Sequence, residues 1–426
     1  MIYHCEDHTC NYWDEGEKLP ERCPQCGRKL LRANEADMTG DDWTALGNTL
    51  WDAEASDKKR MVDCFRKAAY LGSAWGVCNL GICMEQGNGV EADPVQAFWL
   101  YQQAVEMGSL NAVCCLGVCY EYGIGTAPDA EKAAELYCKA AEYGSPRGQM
   151  LLARAFHDGI GVEADAAEAV YWVRAAAYQR YGEGMHRLGV CYEYGDGVEQ
   201  NWEHAVHWFR EAAESGVSAA MTDLGYCYEK GCGVEQSWEQ AFSWYRRGAE
   251  CGYPVSMSNL GLCYKRGYGV EQNWQEAIKW YEQGAQCGDL QSMHNLACCY
   301  ERGEGVEQNE DRALYWYRRS AEGGNGDAMC NLGRCYERGY GVEQNWQEAV
   351  KWYEQGAQCG HLQSMNNLAC CYEGGEGVEQ NEERALYWYR RSAEGGNGVA
   401  MCNLGWCYKR GYGVEQNWQE AVKWYE

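Results

Sequence analysis

Four cysteines near the start of the sequence have the spacing of a metal site. The later two flank Pro and Gln in the motif C-P-Q-C-G at residues 23–27, and the earlier two are Cys5 and Cys10. Two thiolates separated by two residues can bind one ion, and two such pairs suit the tetrahedral geometry of Zn²⁺. The sequence therefore predicts a zinc ribbon whose ligands are Cys5, Cys10, Cys23 and Cys26.

The predicted zinc site is structural, because four thiolates leave no open coordination position for a substrate. Its role would be to fold residues 1–40, a segment too short to build a core of its own. The spacing from Cys5 to Cys10 is wider than in an ideal pair, and His8 is therefore an alternative to Cys10 as the second ligand. A disulfide or redox site is the other interpretation of these cysteines.

Two further sets of residues could bind ligands. His204 and His207 lie three residues apart on a predicted helix, but no carboxylate or third ligand recurs with them, and a solvated face is expected. Tryptophans at predicted helix starts could stack on a ligand, although packing between neighbouring repeats is the favoured interpretation. These tryptophans are Trp202, Trp238, Trp274, Trp346 and Trp418.

Composition and charge exclude several classes of function. The chain has 426 residues, with 63 Asp and Glu against 37 Lys and Arg, and its net charge of -26 repels nucleic acids and acidic membranes. No apolar run is long enough to cross a bilayer. The first ten residues, MIYHCEDHTC, resemble no secretory signal, so we expect a cytoplasmic protein whose 26 cysteines are not a disulfide framework.

The elements that position these residues are internal repeats. A G-x-G triplet recurs ten times at steps of 36 residues, with its second glycine running from Gly89 to Gly413. A marker leucine keeps the same phase from Leu80 to Leu404, and each copy is followed by Gly or Ala. The pattern stops inside a helix at Glu426, which predicts either a truncated chain or an end that docks on another molecule. Such periodicity is typical of repeat proteins.

Each repeat is predicted to contain two helices. In the copy at 291–324, apolar residues recur at helical spacing up to the glycines 303 and 305, and again from Asn309, an expected N-cap, to Gly324. Glycine occupies the position of Gly324 in the other copies, except that Arg180 replaces it once, so that helix end is expected to be strained. Stacked pairs would bury one continuous core, which predicts an α-solenoid.

The repeat motif resembles the Sel-1-like repeat, a relative of the tetratricopeptide repeat, over about residues 41–426. The resemblance implies a right-handed α-solenoid of about eleven 36-residue helix-turn-helix repeats, with the zinc ribbon before it and a concave surface lined by the first helices. It also implies an adaptor that holds other proteins. One copy matches at Leu332, Gly333, Tyr336, Gly339, Gly341, Val342, Ala349, Trp352, Tyr353, Ala357 and Gly360.

The cysteines of the repeats favour packing over chemistry. A disulfide-rich branch of the resembled family includes penicillin-binding members with weak β-lactamase activity, and such a hydrolase is the alternative function. Its cysteines pair within each repeat with seven residues between partners, whereas here nine cysteines follow the marker leucine by three residues. We therefore expect small buried fillers. The pairs Cys298-Cys299 and Cys370-Cys371 could instead bind metal or oxidise.

The concave surface is the predicted partner site. By analogy with related solenoids, the residue before the marker leucine points into the groove, and an amide there can pair with the backbone of an extended peptide. Arginine recurs six residues after the same leucine. The candidate partner-binding residues are Asn259, Asn295, Asn331, Asn367, Asn403, Arg266, Arg302, Arg338 and Arg410, with Asn79 as an earlier amide.

These expectations combine into a non-catalytic scaffold. It would bind a protein or an extended peptide segment in the concave groove, with no nucleic acid and no membrane as partner. The alternative to a ligand role for the asparagines and arginines is that duplication copied them as part of the repeat consensus.

Overall fold

A computed structural model describes residues 2–5, 13–15, 30–33, 35–51 and 55–426 of the chain. Three short strands begin it: β1 (Ile2–Cys5), β2 (Trp13–Glu15) and β3 (Leu30–Ala33). They form one antiparallel sheet in the order β2-β1-β3, in which Ile2 lies opposite both Glu15 and Ala33. A 3-10 turn at Glu35–Asp37 then leads to the helices.

Twenty-two helices follow in the described part of the chain, as eleven consecutive pairs. The first helices of the pairs are α1 (Gly40–Thr49), α3 (Ala74–Gln86), α5 (Leu110–Tyr122), α7 (Pro146–Asp158), α9 (Gly182–Tyr194), α11 (Ser218–Lys230), α13 (Pro254–Arg266), α15 (Leu290–Arg302), α17 (Gly326–Arg338), α19 (Leu362–Gly374) and α21 (Gly398–Arg410). The second helices are α2 (Ala55–Tyr70), α4 (Pro94–Glu106), α6 (Ala130–Glu142), α8 (Ala166–Tyr178), α10 (Trp202–Glu214), α12 (Trp238–Glu250), α14 (Trp274–Gln286), α16 (Glu310–Glu322), α18 (Trp346–Gln358), α20 (Glu382–Glu394) and α22 (Trp418–Tyr425).

The helix ends follow the predicted signals. The side chain of Asn309 accepts a hydrogen bond from the backbone N–H of Arg312, which satisfies one of the free amides at the start of α16. Gly303 ends α15 in the left-handed conformation, at φ 69°, with its N–H on the carbonyl of Cys299. Arg180 has φ 58° and is the one non-glycine residue with positive φ in the described segments, so the expected strain is confirmed.

Asn273 and Asn345 are each followed three residues later by a glutamate, as a capping box requires, but only half of each box forms. The Asn273 side chain accepts from the backbone N–H of Glu276, at 3.1 Å. The backbone N–H of Asn273, however, donates to the carbonyl of Tyr264 at the end of the preceding helix, at 2.9 Å. The Glu276 carboxylate is therefore free to pair with Lys279, at 3.3 Å.

The second glycine of the G-x-G triplet has a packing role. A Cβ atom at Gly269 would collide with the carbonyl oxygen of Trp238, the first residue of α12 in the preceding pair. Gly269 also has a φ of 68°, a backbone conformation that residues with a Cβ atom rarely adopt. The triplet thus lets each inter-helix turn lie directly on the start of the preceding second helix.

The helices pack into two compact units, Met1–Ser215 and Gly216–Glu426. Within each unit, each second helix packs on the first helix of its own pair and on the first helix of the next pair. The marker leucines lie in the core between the paired helices, and Leu296 is fully buried. An aromatic residue of most second helices, such as Tyr317, fills the space next to them. The predicted α-solenoid is confirmed.

Candidate functional site

The asparagines and arginines of the predicted groove lie on the first helices α13, α15, α17, α19 and α21. Asn331 and Arg338 are both in α17, seven residues apart. Seven residues are close to two helical turns, or about 10 Å of rise, so both side chains leave the helix on the same face. The same relation joins Asn259 to Arg266, Asn295 to Arg302 and Asn403 to Arg410.

The asparagine side chains form hydrogen bonds between neighbouring repeats. Asn403 Nδ2 donates to Asn366 Oδ1 of the preceding first helix, at 3.0 Å, and Asn367 Nδ2 donates to Cys330 Sγ, at 3.5 Å. Asn331 Nδ2 lies 3.0 Å from His294 Nε2 in the same relation. Burial is the main cause that lowers the pKa of His294, which keeps this ring neutral. These amides therefore already join one repeat to the next.

An asparagine of residues 1–215 forms the same contact with the preceding first helix. Asn79 Nδ2 donates to Asn48 Oδ1 of the preceding first helix, at 2.8 Å. Two amide oxygens of the later copies accept from their own helix instead: Asn295 Oδ1 from Gln291, at 3.2 Å, and Asn367 Oδ1 from Gln363, at 2.9 Å. A partner would thus meet side chains whose hydrogen-bonding groups are partly used within the protein.

The arginines are different, because all four are exposed at the C-terminal ends of their helices. Cations favour this position, where the backbone carbonyls carry partial negative charge. Within residues 216–426, Arg302 alone among them forms an ion pair, a long contact of 3.9 Å with Glu304. Arg266, Arg338 and Arg410 therefore present their guanidinium groups to solvent.

Glutamates lie beside the arginines on the same helices, but they face the second helices. Tyr317 Oη donates to Glu301 Oε2 at 2.6 Å, and Tyr353 and Glu337 form the same bond, also at 2.6 Å. Glu301 also pairs with Arg334, at 3.4 Å. These carboxylates therefore have partners other than the exposed arginines.

The predicted zinc ligands fall in the part of the chain that the structure hardly describes. Cys5 ends strand β1, where the structure describes the backbone alone. Cys10, Cys23 and Cys26, with the alternative ligand His8, lie outside the described residues. Among the described side chains, no group of three or more His, Cys, Asp or Glu residues could hold a metal ion. The zinc site stays a prediction.

The cysteines after residue 40 are free thiols, 22 in number, and the nine that follow the marker leucine by three residues are all buried. Burial raises the pKa of the Cys299 thiol to about 11 and that of Cys371 to about 12, so these groups are protonated at neutral pH. The preceding cysteines lie beside tyrosine hydroxyls: Cys298 Sγ is 3.2 Å from Tyr317 Oη, and Cys370 Sγ is 3.2 Å from Tyr389 Oη. The nine buried thiols therefore lie in a packed core, whereas Cys370 is exposed. The within-repeat disulfides of the hydrolase branch are absent between residues 55 and 426.

The remaining candidates are also structural. His204 and His207 are exposed, as expected, and their rings lie against Tyr192 and Trp208. Trp238 stacks on Tyr268 of the next repeat, with ring centroids 4.1 Å apart, which agrees with packing between repeats. Trp418 differs, because it is 58% exposed at the start of the last helix.

Sequence reasoning missed a cavity between α7, α8 and α9, of about 490 Å³. The signal was present in the sequence, because Val173 interrupts a column of tyrosines that keeps the 36-residue period. None of the helices in the described part of the chain combines the length and apolar character required to span a membrane.

Comparison with known proteins places these features in a family. The Sel1 repeat family matches ten segments that run from residue 76 to residue 426 without a long gap. A crystal structure of c5321, a protective antigen of uropathogenic Escherichia coli with an SLR fold, is 32% identical, with a TM-score of 0.59 over 90% of this chain and 83% of that chain. A Sel1 repeat protein from Oxalobacter formigenes is 34% identical, with a TM-score of 0.50 over 56% of this chain and 94% of that one. No curated protein matches the chain. The chain belongs to the Sel1 repeat family.

Proposed function

We propose that the protein is a non-catalytic scaffold that binds an extended, acidic segment of a partner protein along the first helices of residues 254–410. Solenoids of this type are typically protein-interaction scaffolds, which gives the general class. The observation that supports the particular site is the row of exposed arginines, of which three have no ion pair among the described residues. A hydrolase has no comparable support.

The arginine row favours a carboxylate ligand. Arg302, Arg338 and Arg410 are set by the repeat on equivalent faces, and each guanidinium can bind a carboxylate with two hydrogen bonds. A segment rich in Asp or Glu would approach these groups and avoid the net charge of -26 carried by the rest of the chain. The asparagines contribute less than the arginines, because Asn331, Asn367 and Asn403 already bond to the preceding repeat.

The test begins with a selection of random peptides on the purified protein, which should enrich segments that carry Asp or Glu. Replacement of Arg302 and Arg338 by Ala should weaken binding of the selected peptide. The loss of affinity should be larger at low salt, because at physiological ionic strength exposed charges are already screened over about 8 Å. The matched control replaces Lys279 and Lys351 by Ala, which removes the same amount of charge from two second helices. Equal loss of binding in both double variants would contradict the groove.

Replacement of Asn295, Asn331 and Asn367 by Ala tests the amides separately. We expect weaker peptide binding at every salt concentration, since neutral hydrogen bonds are not screened. Because two of these amides also join repeats, each lost bond should cost about 1 kcal/mol of stability, and helicity must be measured on the same sample. Unchanged peptide binding in the folded triple variant would leave the arginines as the site.

Two further proposals complete this scaffold. We propose that residues 1–40 hold one structural Zn²⁺ through Cys5, Cys10, Cys23 and Cys26, on the support of their spacing. We also propose a cytoplasmic location, because a protein with 22 free thiols suits a reducing compartment.

A further inference from the structure

One repeat of residues 1–215 departs from the others at a core position. Nine described second helices carry a buried aromatic residue there: Phe65, Tyr101, Tyr137, Phe209, Tyr245, Tyr281, Tyr317, Tyr353 and Tyr389. Its ring lies against the small residue that follows the marker leucine, as Tyr137 lies against Gly117. In α8 the residue is Val173, and the small residue that faces it is Ala153.

The shorter side chain of Val173 lines a cavity of about 490 Å³, a volume within the range of ligand sites. Val173, Val170 and Ala169 of α8 line it together with Ala153 and Cys191, and all five are buried. The walls are formed by α7 and α9. An aromatic ring is the group that this apolar space lacks relative to the other repeats.

Most charged residues around the cavity neutralise one another. Arg154 Nη2 pairs with Glu121, at 2.6 Å, and its Nη1 donates to Tyr122 Oη, at 2.7 Å. His157 contacts Asp158, at 2.7 Å, and Asp196, at 3.2 Å. Arg187 reaches the same Asp196 at 3.8 Å, and Glu183 accepts from Tyr181 Oη, at 3.2 Å.

Arg147 is the exception among these charges. Its guanidinium is half-buried, and its one hydrogen bond in the described structure runs from Nη1 to Cys115 Sγ, at 3.6 Å, with no carboxylate within 4.0 Å. Hydrogen bonding with Cys78 is the largest cause that lowers the pKa of the Cys115 thiol, and Arg147 adds to it. A single long hydrogen bond to a thiol compensates the half-buried cation incompletely, whereas a carboxylate would do so with two hydrogen bonds.

We propose that this cavity binds an aromatic carboxylate, with its ring over Val173 in the place of the missing tyrosine and its carboxylate on Arg147. A free aromatic acid and the C-terminal aromatic residue of a peptide share this chemistry. The site lies outside residues 254–410 and does not depend on the proposed groove.

The test measures binding by calorimetry to four probes. These are 3-(4-hydroxyphenyl)propionate, its amide, and a short Gly-Ser peptide that ends in Tyr with a free or an amidated C-terminus. Either acid should bind at least about tenfold more tightly than its amide, as expected for charge-assisted hydrogen bonds. Tighter binding of the peptide acid assigns a chain terminus as ligand, and tighter binding of the free acid assigns a small molecule. Equal binding of acids and amides, or no binding up to about 10 mM, overturns the proposal.

Two variants locate the probe in the cavity. Val173→Tyr restores the residue found in most other repeats. Tyr317, which faces Ala297, shows that a tyrosine ring fits opposite alanine. This variant should no longer bind the probe and should remain helical. Arg147→Gln should weaken binding of the acid about tenfold or more and leave binding of the amide unchanged. The control is Arg66→Gln, at an exposed arginine outside the cavity, which should bind both probes as the unmodified protein does. Full acid binding by Arg147→Gln would overturn the site even if Val173→Tyr failed to fold. Replacement of Arg302 and Arg338 should leave binding of the probe unchanged, so that binding in the cavity is distinguished from binding in the proposed groove.

Discussion

The hydrogen bond between paired helices is the residue-scale feature that distinguishes one repeat from another. Tyr317 Oη donates to Glu301, and five other described repeats form the same pair sixteen residues apart in sequence. Burial raises the pKa of Tyr317, so its phenol stays a donor. Tyr281 faces a helix in which Lys265 replaces the glutamate, and its buried hydroxyl has no hydrogen-bond partner among the residues that the structure describes.

This difference predicts opposite effects of one substitution at two equivalent sites. Tyr317→Phe should cost about 1–2 kcal/mol, because it removes a bond to a charged acceptor. Tyr281→Phe should be neutral or slightly stabilising, because it removes an unsatisfied polar group and Phe209 occupies this position naturally. Urea denaturation of both variants measures the difference. An equal loss of stability would contradict the assigned bonds.

The zinc prediction also belongs to the residue scale. Metal analysis of the protein purified under reducing conditions should find about one Zn²⁺ per chain. Cys23→Ser should lose the ion, because it removes one of four thiolates, and the helical signal of the repeats should persist. Cys251→Ser, at an exposed cysteine of a repeat, is the matched control. Absence of zinc from the unmodified protein would reject the ribbon.

At the scale of elements, the sequence predicts the helices and their ends well, because their signals are local. Asn309 and Gly303 act where the pattern places them, and Arg180 marks the one irregular helix end. The asparagine bonds were not predictable, because Asn403 reaches Asn366 only through the stagger of neighbouring first helices. The half-formed capping box at Asn273 likewise depends on a contact with Tyr264 of another helix.

The strained end of α8 gives a prediction for this element. Arg180→Gly should stabilise the protein by about 1 kcal/mol, because a left-handed residue with a Cβ is strained and glycine is not. Its exposed ion pair with Glu211, at 3.3 Å, contributes little to offset this gain. Arg180→Ala is the control, since it removes the same charge but keeps the Cβ. Equal melting temperatures for the two variants would contradict the strain.

At the scale of the whole molecule, the repeat period predicts the solenoid but not its departures. A regular period implies equivalent packing in every copy, so Val173 signals a cavity only when it is compared with the tyrosine column. The volume and the charge around Arg147 depend on three helices together. Function is less predictable still, because exposed arginines are consistent with both helix-end stabilisation and ligand binding.

The buried thiols predict how stability depends on pH. Burial raises the pKa of Cys335, Cys371 and Cys407 to about 12 from an ordinary value of 9.0. The unfolded chain therefore loses these protons first, and the stabilisation that is present below pH 9 falls as the pH rises toward 12. Each such thiol contributes up to about 1.4 kcal/mol per pH unit to the decline.

Urea midpoints measured under reducing conditions at rising alkaline pH test this dependence. The unmodified protein should lose stability steeply above pH 9. A variant with Ala at Cys335, Cys371 and Cys407 should decline less steeply, because three titrating groups are gone. Parallel curves for the two proteins would show that these thiols do not govern the alkaline transition.

The central claim, that a partner segment lies on the first helices of residues 254–410, is tested most directly by site-specific photocrosslinking. A photoreactive amino acid replaces Gly374, which takes the place of the arginine in α19, or, as the control, Lys351 in α18. The acidic peptide selected on the unmodified protein is then irradiated with each variant, and the products are mapped by mass spectrometry. We expect a crosslink from position 374 and none from position 351; a crosslink from position 351 alone would contradict the proposed site.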